Sequence, residues 1–334
     1  MRTGMRYEES LPLGFQRIPL DLLFKEERLL FDLFIKVQGH FLLYRREKQI
    51  FDDRLHRQLH VQGVTYCYIP LEDLPGFYEY LSKGLSKLHS NQKILFFKRA
   101  EKLFQIFRFL SREIYESPQN PYNLQALQLC GISLASLIDS QSLKTSFSIQ
   151  KVLSSKASFG STLKPNQDYS LKHAFDVGVL SVSFAKFLDE FDREALKEIA
   201  ISGFFHDVGT FLMPEVLEKE ERLSVEDWEK VHKHPEYTVR ILKKAGIDIA
   251  SVNHAILFHH QSNDGTGYPE YQPKILSKEA QILAFCDHYS SMTARKLYQG
   301  PLSPYAALQK LGLKFYETSP DLYKHFVRFI QNFA

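Results

Sequence analysis

Cysteine is scarce in this chain of 334 residues: Cys67, Cys130 and Cys286 are odd in number and far apart. No pair has CxxC spacing, which argues against a disulfide framework and against a zinc knuckle, and three isolated thiols suit a reducing compartment. Long apolar runs are missing too. Nothing approaches the roughly 20 apolar residues that cross a bilayer, so no membrane span is expected. The stretch MRTGMRYEES is polar and lacks the apolar core of a secretory leader, and the cytoplasm is the expected location. Net charge is small, 42 Lys and Arg against 39 Asp and Glu. Residues 1–150 hold 20 basic and 16 acidic side chains, an excess too slight to suggest wrapping nucleic acid. No DNA or RNA partner is expected, and there is neither an internal repeat nor a long low-complexity tract.

What is present is an ordinary globular composition, 44% hydrophobic and 24% charged, enough to fill real cores. The length leaves room for two or three domains. Residues 1–20 read as an irregular lead-in. FDLFIKV and HFLLYR read as strands around Gln38-Gly39, a helix follows near 53–61, VTYCYIP is a third strand stopped by Pro70, and LEDLPGFYEYLSKGLSKL is a helix. Residues 1–88 therefore form a small α+β domain, expected to be regulatory or a docking surface for another protein.

Residues 89–160 read as a helical connector and linker. The spacing predicts a helix over 90–117, capped by Ser90 and closed by Pro118, and another over 122–139. The first is basic and amphipathic, as a membrane-surface helix would be. Its apolar residues cover more than one face, however, which favours burial between the two domains or in a homodimer contact. The Ser-rich stretch 140–162 is the expected linker. From 161 to 334 helix follows helix with apolar residues at three-and-four spacing. Ser224 with Asp227 reads as a capping box, and Gly246 stands where a helix C-cap glycine would. The fold class is mainly α: an all-helical C-terminal domain behind a small α+β domain and a helical connector.

Histidine is concentrated in that last part, with eight of the 13 between positions 173 and 288. In FFHDVG, His206 and Asp207 are adjacent, so a bridging carboxylate and a capping imidazole can serve two metal ions together. His173, His234, His259, His260 and Asp287 extend the set to seven candidate ligands, each within or at the end of a predicted helix. His232, His254 and His288 stand outside it. A lone histidine on an apolar helix is more often a core residue than a ligand. Asp287, flanked by ILAF and Cys286, is harder to explain without a partner or a metal, because a carboxylate entering an apolar helix is costly. Imidazoles with carboxylates suit first-row divalent ions. Two such ions, about 3.5–4 Å apart, can hold a hydroxide and clamp an in-line phosphoryl displacement. Directly after the His doublet, Asp264, Gly265, Gly267 and Tyr268 make a loop whose backbone N–H groups and ring can face a substrate; a plain Gly-Pro turn is the alternative.

Taken in order, His173 with Val177, HDVG at 206–209, His234-Pro235 with Ile241-Leu242, HHQSNDGTGYP at 259–269 and AFCDHYSSMTA at 284–294 resemble the HD-GYP domain, a subgroup of the HD metal-dependent phosphohydrolases. The resemblance covers about half the chain. It implies an all-helical fold with two divalent metals, iron or manganese, and hydrolysis of cyclic di-GMP to the linear dinucleotide or GMP. Carried over by position, Asp207 bridges the metals. His173, His206 and Asp287 complete one, and His234, His259 and His260 the other, with Asp207 and His206 at the catalytic centre. A third metal in the family uses a Glu where this chain has Tyr169, so two metals are expected.

There are departures. Thr210 stands where the family has Lys, Gln261 where it has Glu, Ser290 where it has Asp, and Lys296-Leu297 where it has Arg-Pro. Thr210 and Lys296 therefore mark substrate-facing positions with altered chemistry. Losing a cation beside the scissile phosphate can cost on the order of 10²–10³ in rate. The alternative to an active phosphodiesterase is accordingly a weakly active or inactive domain that binds cyclic di-GMP and signals through protein contacts. A different cyclic dinucleotide as substrate is a third reading.

Overall fold

The computed structural model describes residues 14–88, 91, 94–146, 148, 165–219, 221–270, 276–295 and 300–333. The chain divides into two compact units, Met1–Lys87 and Leu88–Ala334.

In the first unit, β1 (Phe15–Pro19), β2 (Glu27–Arg28), β3 (Leu33–Val37), β4 (His40–Arg45), β5 (Ile50–Phe51), α1 (Asp53–Val61), β6 (Tyr66–Pro70) and α2 (Leu74–Leu88) follow in order. The sheet is antiparallel, ordered β1-β6-β3-β4, with β2 and β5 paired separately. The β3–β4 hairpin turns at Gln38-Gly39, both with positive φ, the geometry that matches the twist of the flanking strands. Asp52 caps α1 by accepting from the Leu55 N–H at 2.7 Å. β1 corrects the sequence reading, which left this stretch irregular. Five residues ending in Pro19 make a weak strand pattern, and the strand exists through its pairing from Phe15↔Pro70 to Pro19↔Tyr66. The two-residue strands β2 and β5 are too short to show any periodicity.

The second unit is helical: α3 (Phe96–Glu116), α4 (Pro121–Asp139), α5 (Pro165–Leu188), α6 (Arg193–Phe205), a 3-10 turn (Val208–Leu212), α7 (Pro214–Leu217), α8 (Val225–Val231), α9 (His234–Lys244), α10 (Ala250–Phe258), α11 (Lys278–Thr293), α12 (Pro304–Phe315) and α13 (Pro320–Phe333). α3 begins at Phe96 behind Leu95, which gives no side-chain cap, and Ser90 lies outside the described residues. The apolar side of α3 packs onto the helices that carry the site: the Phe104 and Phe107 rings lie 4.7 and 5.1 Å from Phe175 of α5, and Phe107 lies 4.5 Å from Phe204 of α6. Burying a side chain of this size contributes about 1.5–3 kcal/mol. The linker expected at 140–162 falls largely outside the described residues. Beside it, the Lys186 ammonium donates to the carbonyls of Ile138, Asp139 and Gln141 at 2.9, 2.6 and 2.7 Å. The Ile138 carbonyl also accepts from the Gln141 N–H at 3.1 Å, and the ammonium complements the negative end of α4. The Ser224–Asp227 capping box is present at α8, and Gly246, with φ +81°, ends α9.

α5 and α6 cross at unusually close range. A Cβ on Gly203 would sit 2.6 Å from the Gly178 Cα, closer than two such atoms can lie. Without that crossing His173 and His206 could not bring their rings to 5.3 Å.

Candidate metal centre

Five elements converge on one place. α5 carries His173 in its interior, α6 ends at His206, α9 starts at His234, α10 ends at His259, and α11 carries Asp287. Asp207 leaves the helix with φ −102° and ψ 2° and so stands clear of the α6 backbone. Thr238 locks this turn to α9. Its hydroxyl oxygen accepts from the Gly209 N–H at 2.8 Å, while its hydrogen faces the carbonyls of His234 at 2.9 Å and His206 at 3.2 Å.

The candidate ligands form two groups whose ligand atoms lie within 4.8 Å of one another: His173, His206 and Asp287, and Asp207, His234, His259 and His260. Asp207 faces both, with Oδ2 3.2 Å from His206 Nε2 and Oδ1 3.2 Å from His234 Nε2. Asp287 Oδ1 is 2.9 Å from His173 Nε2, and its Oδ2 is 4.0 Å from His260 Nδ1. His173, His206, His234, His259 and Asp287 are buried, whereas Asp207 and His260 are partly exposed, so the site opens on their side.

Hydrogen bonding decides which ring nitrogens are bare. Nδ1 of His206, His234 and His259 lies 2.9, 2.7 and 2.6 Å from the carbonyls of Gly203, Val231 and Ile256, each three residues earlier. A carbonyl only accepts, so each Nδ1 carries the hydrogen and each ring directs its Nε2 inward. Nε2 of His234 and of His259 then face each other at 3.4 Å. Two lone pairs this close repel unless a cation lies between or beside them. His206 Nε2 is buried with no hydrogen-bond partner among the described residues. The donor set of five imidazoles and two carboxylates, with inward lone pairs and a buried orphan nitrogen, fits divalent first-row ions.

The titration preferences agree. Burial lowers His259 to about 3, helped by the neighbouring His234 and His206. Burial works against charge on His206 as well, but Asp207 and Asp287 overcome it and raise the ring to about 9. Asp207 and Asp287 stay ionised against the cost of desolvation, mainly through His206 for the first and His173 for the second. Burial thus keeps His259 and His260 uncharged, whereas the two carboxylates draw positive charge to His206.

The loop after the doublet is built against this centre. Gln261 donates to the Pro269 carbonyl, and its backbone bridges to Gly267. Gly267 has φ +116°, and a Cβ there would meet the His260 carbonyl oxygen at 2.1 Å; only glycine fits. Tyr268 lies between His232 at 4.1 Å and His260 at 4.5 Å, measured between ring centroids. The Asp264 carboxylate is exposed and accepts from the Thr266 N–H and hydroxyl, so it shapes the loop beside Gly265.

The other expected substrate-facing positions diverge. Thr210 is buried, and its hydroxyl donates back to the Asp207 carbonyl at 2.6 Å. Lys296 lies outside the described residues. Several neighbours of the site have roles that the sequence did not reveal. Ser290, where the family has Asp, partners His173 Nδ1 at 3.0 Å. Tyr169 stacks on His173 with ring centroids 5.5 Å apart. His232 supports Tyr268, and Thr238 supports the turn. The only sequence trace of Thr238 was an i+4 offset from a candidate ligand, too common a pattern to single it out, and Ser290 stood out as a departure from the family but not as a partner of His173.

Comparison with known proteins agrees with this geometry. Residues 163–314 match the HD domain family. The cyclic di-GMP phosphodiesterase PA4108 of Pseudomonas aeruginosa is 27% identical over 168 residues, half of this chain and 40% of that protein. A 3'3'-cGAMP-specific phosphodiesterase 2 of Vibrio cholerae is 32% identical over 99 residues, 29% of this chain and 19% of that one. The matches thus span less than half the length of these relatives. Among solved structures, Bd1817, an HDGYP protein of Bdellovibrio bacteriovorus, superposes with a TM-score of 0.59 at 17% identity, covering 95% of this chain and 98% of that one, which shows a shared fold. No helix among the described residues is long and apolar enough to cross a membrane. Residues 163–314 thus carry an HD domain.

Proposed function

We propose that this protein is a metal-dependent phosphodiesterase that hydrolyses cyclic di-GMP to the linear dinucleotide or GMP. The observation that carries the reading is Asp207, whose two carboxylate oxygens each lie 3.2 Å from the bare nitrogen of a histidine in a different ligand group. His173, His206 and Asp287 would hold one divalent ion, His234, His259 and His260 the other, and Asp207 both, with iron or manganese best suited to the donors. Ions so held supply Lewis acidity and a water acidified toward neutral pH. The chain's own residues do the rest. The Nδ1–H bonds aim the imidazoles, Thr238 fixes the HD turn, and the loop through Gly265 and Gly267 places Tyr268 at the open side. Of the two relatives, one is named for cyclic di-GMP and the other for 3'3'-cGAMP, so cyclic GMP-AMP is the competing substrate. The domain at 1–88 would act as a regulatory or docking module, 89–160 as connector and 161–334 as the hydrolase, in the cytoplasm and with a homodimer as its assembly.

The test is hydrolysis of cyclic di-GMP by purified protein, with metal content measured on the same sample and an Asp207→Ala control. Product from the wild type that disappears in the control supports the reading. Two metals per chain without product sinks it. A second reading, a cyclic di-GMP receptor with weak turnover, is favoured by one observation: the Thr210 hydroxyl is tied back to Asp207, so position 210 offers no cation to the substrate. That reading expects saturable binding with little product, and a gain in rate from Thr210→Lys.

A further inference from the structure

If position 210 supplies no cation, the developing charge on a scissile phosphate needs another. We infer that Lys314 supplies it, seated on His288 at the mouth of the metal centre and contacting the non-bridging phosphate oxygens of the substrate. The inference rests on the phosphodiester reading above and adds to it a residue that the HD-GYP motifs do not contain.

The seat is built from α11. His288 Nδ1 lies 2.9 Å from the Ala284 carbonyl, so it carries the hydrogen and Nε2 is left as an acceptor. The Lys314 ammonium donates to that Nε2 at 2.6 Å. The imidazole nitrogen accepts from the ammonium and so orients it without cancelling its charge. An ammonium has three donors; one is spent on His288 and two remain for a ligand.

The seat adjoins the centre. His288 follows Asp287 directly, its Nδ1 is 3.6 Å from Asp287 Oδ2, and its ring is 6.1 Å from that of His260. The backbone beneath is anchored, because Phe315 stacks on Phe285 at 4.4 Å and meets the His288 ring edge-on at 5.4 Å. Lys314 itself is exposed. An anchored base, an oriented ammonium and solvent access are what an anion contact requires, and lysine meets phosphate as a point charge.

The experiment is equilibrium binding of fluorescently labelled cyclic di-GMP to the full chain, with hydrolysis measured alongside, for the wild type, Lys314→Gln, Lys314→Arg and Lys310→Gln. Lys310 is an exposed lysine on the same helix and serves as the charge control. Melting temperature and metal content are followed to show that the centre is intact. Loss of a charge-assisted contact to phosphate should raise the dissociation constant of Lys314→Gln on the order of ten- to a hundredfold, with a shallower salt dependence. Arginine should recover most of the loss, and Lys310→Gln should stay within about twofold of the wild type. A wild type that binds or hydrolyses, beside a Lys314→Gln variant within about twofold of it, overturns the assignment and leaves the phosphodiesterase reading standing. A wild type that neither binds nor hydrolyses overturns both.

Discussion

Replacing Ser290 by alanine tests whether the support behind a ligand matters as much as the geometry implies. Ser290 is buried, and its hydroxyl is the partner of His173 Nδ1 at 3.0 Å. The opposite nitrogen of the same ring is 2.9 Å from Asp287 Oδ1. With serine in place, Nδ1 can donate to the hydroxyl and leave Nε2 free for a cation. Without it, a buried N–H loses its partner, at a cost of about 1–3 kcal/mol. The ring then gains by moving its proton to Nε2, where Asp287 accepts it, and that tautomer cannot bind a metal. Loss of such an outer contact costs about 10- to 100-fold in metal affinity. The effect should fall on the ion held by His173, His206 and Asp287 and largely spare the other, because His234 and His259 keep their carbonyl partners. Competition against a chromophoric chelator, read as two separate binding steps, measures this directly. Heat denaturation of the metal-free protein should show a fall of about 2–4 °C for each kcal/mol lost. Ser290→Asp should do the reverse, since a carboxylate behind an imidazole raises its basicity. Two metal affinities within about twofold of the wild type in Ser290→Ala, with an unchanged melting temperature, would refute the argument.

Further outcomes follow from the packing. Gly203→Ala places a methyl 2.6 Å from the Gly178 Cα, so α5 and α6 must part. We expect at least about 1–3 kcal/mol of destabilisation by overpacking, seen in chemical denaturation, together with loss of metal as His173 and His206 separate. Full metal content at wild-type stability would show that the crossing is slack. Lys186→Met removes the ammonium shared by three carbonyls near the end of α4, of which Ile138 keeps the Gln141 N–H. The loss should be about 1.5–3 kcal/mol with metal content retained, and denaturation midpoints equal to wild type would count against it.

How far the centre was legible differs from ligand to ligand. His206 and Asp207 announced themselves by adjacency, and His259 and His260 by doubling. Asp287 stood out through the cost of a carboxylate in an apolar helix. His173 had no such mark: it lies 114 residues from its partner Asp287, and only the order of surrounding motifs indicated it. Thr210 was legible as a departure but not in its consequence, because whether a hydroxyl reaches a substrate or its own backbone depends on the turn it sits in. β1 was illegible for a related reason, since five residues carry too little alternation to outweigh a terminal proline.

What the amino-acid order settled was therefore the helical class of the C-terminal half, the capping of α8, the β3–β4 hairpin and the chemistry of the donor set. All of these follow from local spacing and residue type. Only the folded arrangement decided which nitrogen of each ring faces inward, that Asp207 stands between two groups of ligands, that Ser290 backs His173, and that Lys314 is seated on His288. Those properties arise from contacts between residues far apart in the chain, where distance and direction are set by how helices cross, and no local pattern encodes them.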